Sequence, residues 1–403
     1  MKKDWTYKKL GEVATAKIRD LLWFQEGPGV RKNQYTEDGV KLLNVANLVN
    51  GTVDLSTSSR YISEEEAYGK YKHFLVDEGD LIIASSGIQV SYFDKKMGFV
   101  TADQLPLCMN TSTIRFKVLD NSITDIKYFM YYLKSYSFKR QLAKYITGAA
   151  QLNFGPSHLK QMSMPLYPLA IQHSIVAELD LLHSVISKKK ELLRELDNLA
   201  QSLFYQMFGD PITNPMGWEI KKIGEVAETT SGGTPSKSNN EYYENGTIPW
   251  LRSGEVSQGY IYSTELFITQ KGFDNSSAKM IPVDSVAIAM YGATVGEVGI
   301  IKSPMCTNQA ICSILPNKYL VPIYLRYFLM AMKPKYIAVA AGGAQPNISQ
   351  AIIRNTHLPI PPLSLQQSFA AKVSAIEAQK QAIAQSIKEN EALLVQRMDT
   401  YFS

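Results

Sequence analysis

Two stretches of the chain place an apolar residue at alternating steps of three and four. The first ladder is Ile175, Leu179, Leu182, Ile186, Lys189, Leu193, Leu196, Ala200, Leu203 and Met207, nine of ten apolar. The second is Phe369, Val373, Ile376, Lys380, Ile383, Ile387, Asn390, Leu394, Arg397 and Tyr401, seven of ten apolar. Strict 3-4 spacing defines a coiled-coil seam, narrower than the stripe of an ordinary core-facing helix. Each ladder predicts a helix of about 36–39 residues, roughly 55 Å long at 1.5 Å per residue. Gly209-Asp-Pro211 closes the first. A helix that long with one apolar seam needs a partner. The other helix is the nearest candidate, which predicts an antiparallel pair. Lys189, Lys380 and Asn390 interrupt the seams. They either set the register or reach water along their stems.

Elsewhere the apolar runs are short. Residues 40–47 and 80–86 read as strands bounded by glycine, and 124–145 carry Tyr, Lys and Leu at helical spacing. Residues 248–253, 284–290 and 322–333 repeat that order of strand, strand and helix. Gly51 and Gly259 follow the earlier strands, and Gly87 and Gly292 the later ones. The flanks repeat in sequence as well. Trp5-Thr-Tyr-Lys-Lys-Leu-Gly-Glu-Val-Ala14 returns 213 residues later as Trp218-Glu-Ile-Lys-Lys-Ile-Gly-Glu-Val-Ala227. Gly148-Ala-Ala-Gln-Leu-Asn153 returns 194 residues later as Gly342-Gly-Ala-Gln-Pro-Asn347, so the interiors differ in length. Each half exits through prolines, Pro165-Leu-Tyr-Pro-Leu169 and Pro359-Ile-Pro-Pro-Leu363. The predicted fold class is mixed α/β (α+β): two tandem homologous domains separated by two long helices, with pseudo-twofold symmetry. The expected boundaries are 1–168 and 213–361 for the domains, 169–212 for the first helix and linker, and 362–403 for the second helix. Two diverged copies present two similar but non-identical surfaces.

Composition narrows the class. At 403 residues each half can bury its own core. Hydrophobic residues make 45% and charged residues 20%, ordinary for a globular chain. A net charge of +5 and a pI near 8.8 are compatible with a nucleic-acid partner but do not demand one. Cys108, Cys306 and Cys312 are odd in number and lack metal-type spacing, which fits a reduced compartment. Met1-Lys-Lys-Asp-Trp5 is followed by no apolar signal region, and no run of about 18 apolar residues suggests a membrane span. A cytoplasmic protein is expected.

Catalytic chemistry is absent from the pattern. There is no GxxxxGK[ST] phosphate loop, no Asn-Pro-Pro-aromatic or Asp-Pro-Pro-Tyr motif, and no strand–GxG opening for a methyl-donor cofactor. His73, His158, His173, His183 and His357 form no metal-ligand spacing, and His173 and His183 read as helix-surface residues. Ser85-Ser86-Gly87 lacks a nucleophile elbow. Gly232-Gly233-Thr234 is half a phosphate loop at most, and a surface turn is the simpler reading. Glu64-Glu65-Glu66 reads as a solvated helix start. No catalytic residue, metal or cofactor is expected.

Binding chemistry is present in the loops. The first half offers Arg31, Lys32, Asn44, Asn47, Ser86, Gln89, Asn110, Gln151 and Asn153. The second offers Thr234, Ser236, Lys237, Arg252, Ser253, Tyr291, Thr294, Asn308, Gln309, Gln345 and Asn347. Arginine reads guanine edges in bidentate fashion and Asn or Gln reads adenine, while Lys, Ser, Thr and backbone N–H groups hold phosphates. Each residue alone is equally a turn former or strand-end hydrogen bonder. As a set at matching places they favour a surface that reads DNA. Asn44 sits where the second half has Arg252, as two readers of different sequences require. Tyr128, Tyr131, Tyr132 and Tyr136, beside Lys134, Lys139 and Arg140, either face a phosphate backbone or pack on the sheet with the cations exposed.

These residues also resemble a known family. Ser231-Gly-Gly-Thr-Pro-Ser236, Ile248-Pro-Trp-Leu-Arg-Ser-Gly-Glu255, Thr307-Asn-Gln-Ala310, Gly343-Ala-Gln-Pro-Asn-Ile348 and Leu358-Pro-Ile-Pro-Pro-Leu-Ser-Leu-Gln-Gln367 resemble the specificity subunit of Type I restriction–modification systems. The first half matches through Gln151-Leu-Asn153 and Pro168-Leu-Ala-Ile-Gln172, without an SGGTP-like segment. The resemblance implies two target-recognition domains reading a bipartite, asymmetric double-stranded DNA site. It implies a helical spacer onto which two modification (methyltransferase) subunits dock, with restriction (translocase/nuclease) subunits joining the full complex. It assigns S-adenosylmethionine to the modification subunit and places the protein in the cytoplasm of a bacterium or archaeon, at the nucleoid when bound. Two alternatives remain open on residues alone: a methyltransferase or nuclease with its own recognition domains, and a protein-binding scaffold.

Overall fold

In the first half the strand Thr113–Val118 is central. It pairs antiparallel with Leu22–Glu26 on one side and Leu81–Ala84 on the other, and Leu81–Ala84 pairs with Met97–Phe99. Leu81, Ile82, Ile83 and Ala84 are all buried, as a continuous apolar run covered on both faces must be. A smaller sheet sets Val40–Leu43 between Leu107–Met109, parallel, and Tyr61–Ile62, antiparallel. The second half repeats the scheme. Ile311–Ile314 lies between Thr229–Ser231 and Val286–Ala289, and the latter pairs with Val298–Ile301. Ile248–Leu251 runs parallel to Met305–Thr307 and antiparallel to Phe267–Ile268. The computed structural model describes residues 13–144, 152–340 and 347–403. Residues 5–12 of the first flanking copy and most of the 148–153 and 342–347 copies lie outside the described residues. The class is mixed α/β, as the sequence predicts.

Local chemistry shortens several predicted elements. The strand in 40–47 ends at Leu43, and 45–47 form a 3-10 turn, because Asn47 Oδ1 accepts the backbone N–H of Asn44 at 2.9 Å. The strand in 248–253 ends at Leu251 for the same reason, with Glu255 accepting from the Arg252 N–H at 3.1 Å. A polar side chain three residues on thus caps each turn. The helical pattern of 124–145 is broken in two, Ile126–Lys134 and Tyr136–Ala143, where Ser135 Oγ caps the second at Phe138 N. Its counterpart Pro322–Ala340 runs unbroken with Pro334 inside. Tyr128, Tyr131 and Tyr132 are buried and Tyr136 is exposed, so this helix packs on the sheet.

Both long helices form, Leu169–Phe208 and Leu363–Phe402, each of 40 residues. Each is fastened at its start by one glutamine. Gln172 accepts from Asp125 N–H and donates to the carbonyls of Ile123 and Tyr167. Gln366 accepts from Val321 N–H and donates to those of Tyr319 and Pro361. The chain divides into two compact units, Met1–Lys188 with Ser386–Ser403, and Lys189–Gln385. Within the first, Ile175, Leu179 and Phe402 join the domain core, Arg397 pairs with Glu178 at 2.9 Å, and Tyr401 donates to the same carboxylate. Within the second, Phe204 and Phe208 meet Phe369 and Tyr324, and Asp197 meets Lys380 at 2.6 Å. Residue 197 beside 380, and 204–208 beside 369, make the helices antiparallel there. Lys380 therefore bonds across the pair rather than simply reaching water.

The buried stripe departs from the ladder at the helix ends. Phe204, Phe208 and Phe402 are buried, while Leu203, Met207 and Tyr401, one residue earlier, are only partly so. There the helix packs on a domain, and the stripe follows 3.6 residues per turn rather than 3.5. Ile186, Leu196, Val373, Ile376 and Ile387 are buried, and Leu182, Leu193, Ile383 and Leu394 are half-buried. By length and average hydropathy Leu169–Phe208 is sufficient to cross a membrane. Here its apolar stripe belongs to protein cores, and Glu178 and Asp180 pair with Arg397 and Lys127.

Candidate nucleic-acid interface

Strand direction decides which loops meet. In the second unit Ile248–Leu251 and Met305–Thr307 are parallel, so Arg252 and Asn308 leave from the same end, tied by Asn308 N–H to Leu251 O at 3.0 Å. Asn308–Ala310 leads into Ile311–Ile314, whose antiparallel partners bring Ser231 opposite Cys312 and Ala289 opposite Ile311. Met290 receives Ile348 N–H at 2.9 Å, and Tyr291 bridges to Asn347. One end of the sheets therefore gathers Thr234, Arg252, Ser253, Tyr291, Thr294, Asn308, Gln309 and Asn347. Gln345 lies outside the described residues.

Close backbone approach explains the glycines there. A Cβ on Gly232 would sit 1.8 Å from Thr307 O, and one on Gly233 2.3 Å from Ser277 Oγ. Trp250 Nε1 donates to Gly233 O at 2.9 Å and Tyr243 OH donates to Pro235 O at 2.6 Å, so the loop is held from beneath. Thr234 then donates to Gln309. Ser236 and Lys237 lie exposed beyond it, and Thr294 donates to Tyr291 O. The Gly-Gly-Thr segment is a packed turn and not part of a phosphate loop.

The first unit builds the same end with other side chains. Asn110 N–H donates to Leu43 O at 3.0 Å, as Asn308 does to Leu251, and Phe154 N–H donates to Ser85 O as Ile348 does to Met290. Asn153 lies opposite Ser86, and Ser86 donates to Ser112. Gly27 matches Gly232, since its Cβ would lie 2.0 Å from Asn110 O. The first half thus keeps the glycine although it lacks the SGGTP-like segment. Partial burial raises the carboxyl of neighbouring Glu26 above its usual range. Arg31 and Lys32 are exposed just past Val30, whose N–H donates to Asn110 Oδ1, and Gln89 is exposed after Ser86–Ile88. Gln151 lies outside the described residues.

Three predicted contact residues are internal in the first unit. Asn44, Asn47 and Asn110 are buried. Asn110 Nδ2 donates to Asn44 Oδ1 at 3.0 Å, Asn44 Nδ2 to Leu42 O, and Asn47 Nδ2 to Asp54 O. Their amides shape the loops instead of offering free edges. The matched residues of the second unit differ. Arg252 is part-exposed, and the buried Asn308 Oδ1 has no hydrogen-bond partner among the described residues. Glu265 and Tyr92 are not among the residues expected from the sequence, and Glu255 is named there only within the segment Ile248–Glu255. Glu255 had a signal, a polar residue three positions past the strand end, as Asn47 has in the first half. Tyr92 is an exposed ring beside Lys95. Glu265 lies 13 residues from Arg252 and had none.

The family model described as the Type I restriction modification DNA specificity domain matches the chain twice, over residues 2–198 and 215–392. The chain belongs to this family. The Type I specificity domain thus occurs in both halves, each covering one sheet system and most of one long helix. The EcoR124I/EcoR124II specificity subunit of Escherichia coli is 27% identical over 245 residues, 59% of this chain and 59% of that protein. The MjaIX specificity subunit of Methanocaldococcus jannaschii is 30% identical over 184 residues, 44% of this chain and 41% of that one. Both alignments therefore span less than two thirds of those relatives. The putative MjaX specificity subunit of the same organism is 22% identical over 93% of this chain and 90% of its own length. The crystal structure of a Type I S subunit from M. genitalium aligns with a TM-score of 0.56 at 15% identity, covering 98% of both chains. A chain from a structure of type I R-M complex assembly aligns at 0.63 and 19% identity, again over 98% of both. These likenesses show the fold.

Proposed function

We propose that this chain is the DNA-recognition and scaffold subunit of a Type I restriction–modification complex and is not itself an enzyme. Residues 1–168 and 213–361 are its target-recognition domains, and the long helices are the spacer on which two modification subunits dock, with restriction subunits joining them. S-adenosylmethionine belongs to the modification subunit, and the complex works on double-stranded DNA in the cytoplasm. The observation that carries this reading is one loop cluster built twice with unlike exposed tips, Arg31, Lys32 and Gln89 in the first unit against Arg252, Ser236 and Lys237 in the second. A bipartite asymmetric target needs two such readers of different preference. Sequencing of methylated DNA from cells carrying the chain with its modification subunit tests it. The expected result is a two-part motif, and replacing residues 213–361 by those of a relative changes one part only. A change in both parts, or methylation by the purified chain alone with labelled S-adenosylmethionine, overturns the reading.

A further inference from the structure

Arg252 does not project freely. Its guanidinium is paired with Glu265 through Nη2, and its Nε lies 3.6 Å from Glu255. The two carboxylates differ in freedom. Glu255 is 5% exposed and accepts backbone N–H bonds from Arg252 at 3.1 Å and Glu265 at 2.8 Å, so it cannot leave without opening the turn. Glu265 is 69% exposed. The first unit has no such arrangement, since the matching Asn44 and Asn47 are neutral amides.

We propose that Glu265 is a specificity-determining residue that stays paired with the Arg252 guanidinium when DNA binds, holding its charge neutralised while the rest of the fork meets a matching base, with Glu255 packed beside Nε. This rests on the reading of Arg252 as a DNA contact. A guanidinium in contact with a carboxylate has little net field beyond the Debye length of about 8–10 Å, so it does not draw phosphates non-specifically. Guanine offers O6 and N7 together and is neutral, so its hydrogen bonds to the part of the fork that Glu265 leaves free do not depend on a net charge at Arg252. A phosphodiester also offers two oxygens to the fork, but it is drawn chiefly by the guanidinium's charge, which the retained carboxylate cancels. The clamp therefore weakens binding to wrong DNA more than to the right site.

The test uses the full chain and two short duplexes, the tightest one it selects from a random pool and the same duplex with its bases shuffled. Glu265→Gln should bind the shuffled duplex about 3–10-fold more tightly while the selected duplex changes less than about twofold, and the salt slope on shuffled DNA should steepen by about one. Glu265→Asp should restore the discrimination, and Glu265→Gln added to Arg252→Ala should do nothing further. Equal tightening on both duplexes, or the same gain in the Arg252→Ala background, overturns the clamp and leaves only a general charge effect. If Arg252→Ala leaves binding to the selected duplex unchanged, the reading of Arg252 itself fails.

Discussion

At Gly232 a missing side chain carries the architecture of the reading end. A Cβ there meets the backbone carbonyl of Thr307 at 1.8 Å, and a carbonyl inside a sheet cannot move aside cheaply. Gly232→Ala should lower the melting temperature and weaken DNA binding together, whereas Gly254→Ala, which meets nothing within 4 Å, should change neither. Scanning calorimetry and fluorescence anisotropy on both variants check this. Arg252 and Lys32 separate two kinds of contact. Arg252→Ala should cost one half-site about 1–3 kcal/mol of discrimination. Lys32→Ala should weaken all duplexes alike and flatten the salt dependence by about one. Equal loss on specific and shuffled DNA for Arg252→Ala reassigns it to phosphate binding or structure.

The helices show how one element serves two tasks. Phe204 is 1% exposed and touches Tyr324, Tyr327 and Phe369, so it fastens the first helix to a domain as well as to its partner helix. Phe204→Ala should destabilise by about 3–5 kcal/mol, the cost of truncating a buried aromatic. Tyr205→Ala, at a part-exposed neighbour, should cost much less. Chemical denaturation compares them, and equal midpoints would show that the phenylalanine site collapses or is not packed. The seam itself can be shortened. Deleting 186–192 and 380–386 removes one heptad from each helix and keeps the remaining seam in phase. Each helix loses roughly 10 Å at 1.5 Å per residue, so a spacer role predicts a target gap shorter by about three base pairs at 3.4 Å each. Methylated-site mapping reads the gap, and an unchanged gap from a folded variant means the helices are not the spacer.

For the molecule as a whole, the free thiols report how tightly the sheets are closed. Cys108, Cys306 and Cys312 are buried, and burial pushes Cys306 up to about 11 and the other two up to about 12. At pH 8 the reactive thiolate is a fraction on the order of 10⁻³ or less in each. The native chain should resist Ellman's reagent, and all three thiols should react after unfolding in guanidinium. Rapid native labelling of one would mean that its sheet opens locally. The sign for stability follows. The folded chain holds these thiols protonated while the unfolded chain releases the protons near pH 9, so their contribution falls as pH rises through 9 and on towards 12.

Some of this was fixed by the order of residues alone. The 3.5-residue seam, the doubled flanks and the alternation of short apolar runs are local patterns, and local patterns survive any tertiary arrangement. They were enough for the mixed α/β class, the two long helices and the family. The fate of the loop residues was not local. Asn44, Asn47 and Asn110 carry the side chains of base readers, yet strands 40–43 and 107–109 run parallel and bring Asn44 and Asn110 close enough to satisfy each other. Arg252 meets Glu265 only because the sheet folds Leu266 back beside Trp250, which sets Glu265 next to the turn that carries Arg252. Phe204, Phe208 and Phe402 turn inward because the helix ends have a domain beside them, which no heptad count contains. Sequence set which elements form; pairing across distant strands decided which polar tips are consumed inside the protein and which remain to meet a partner.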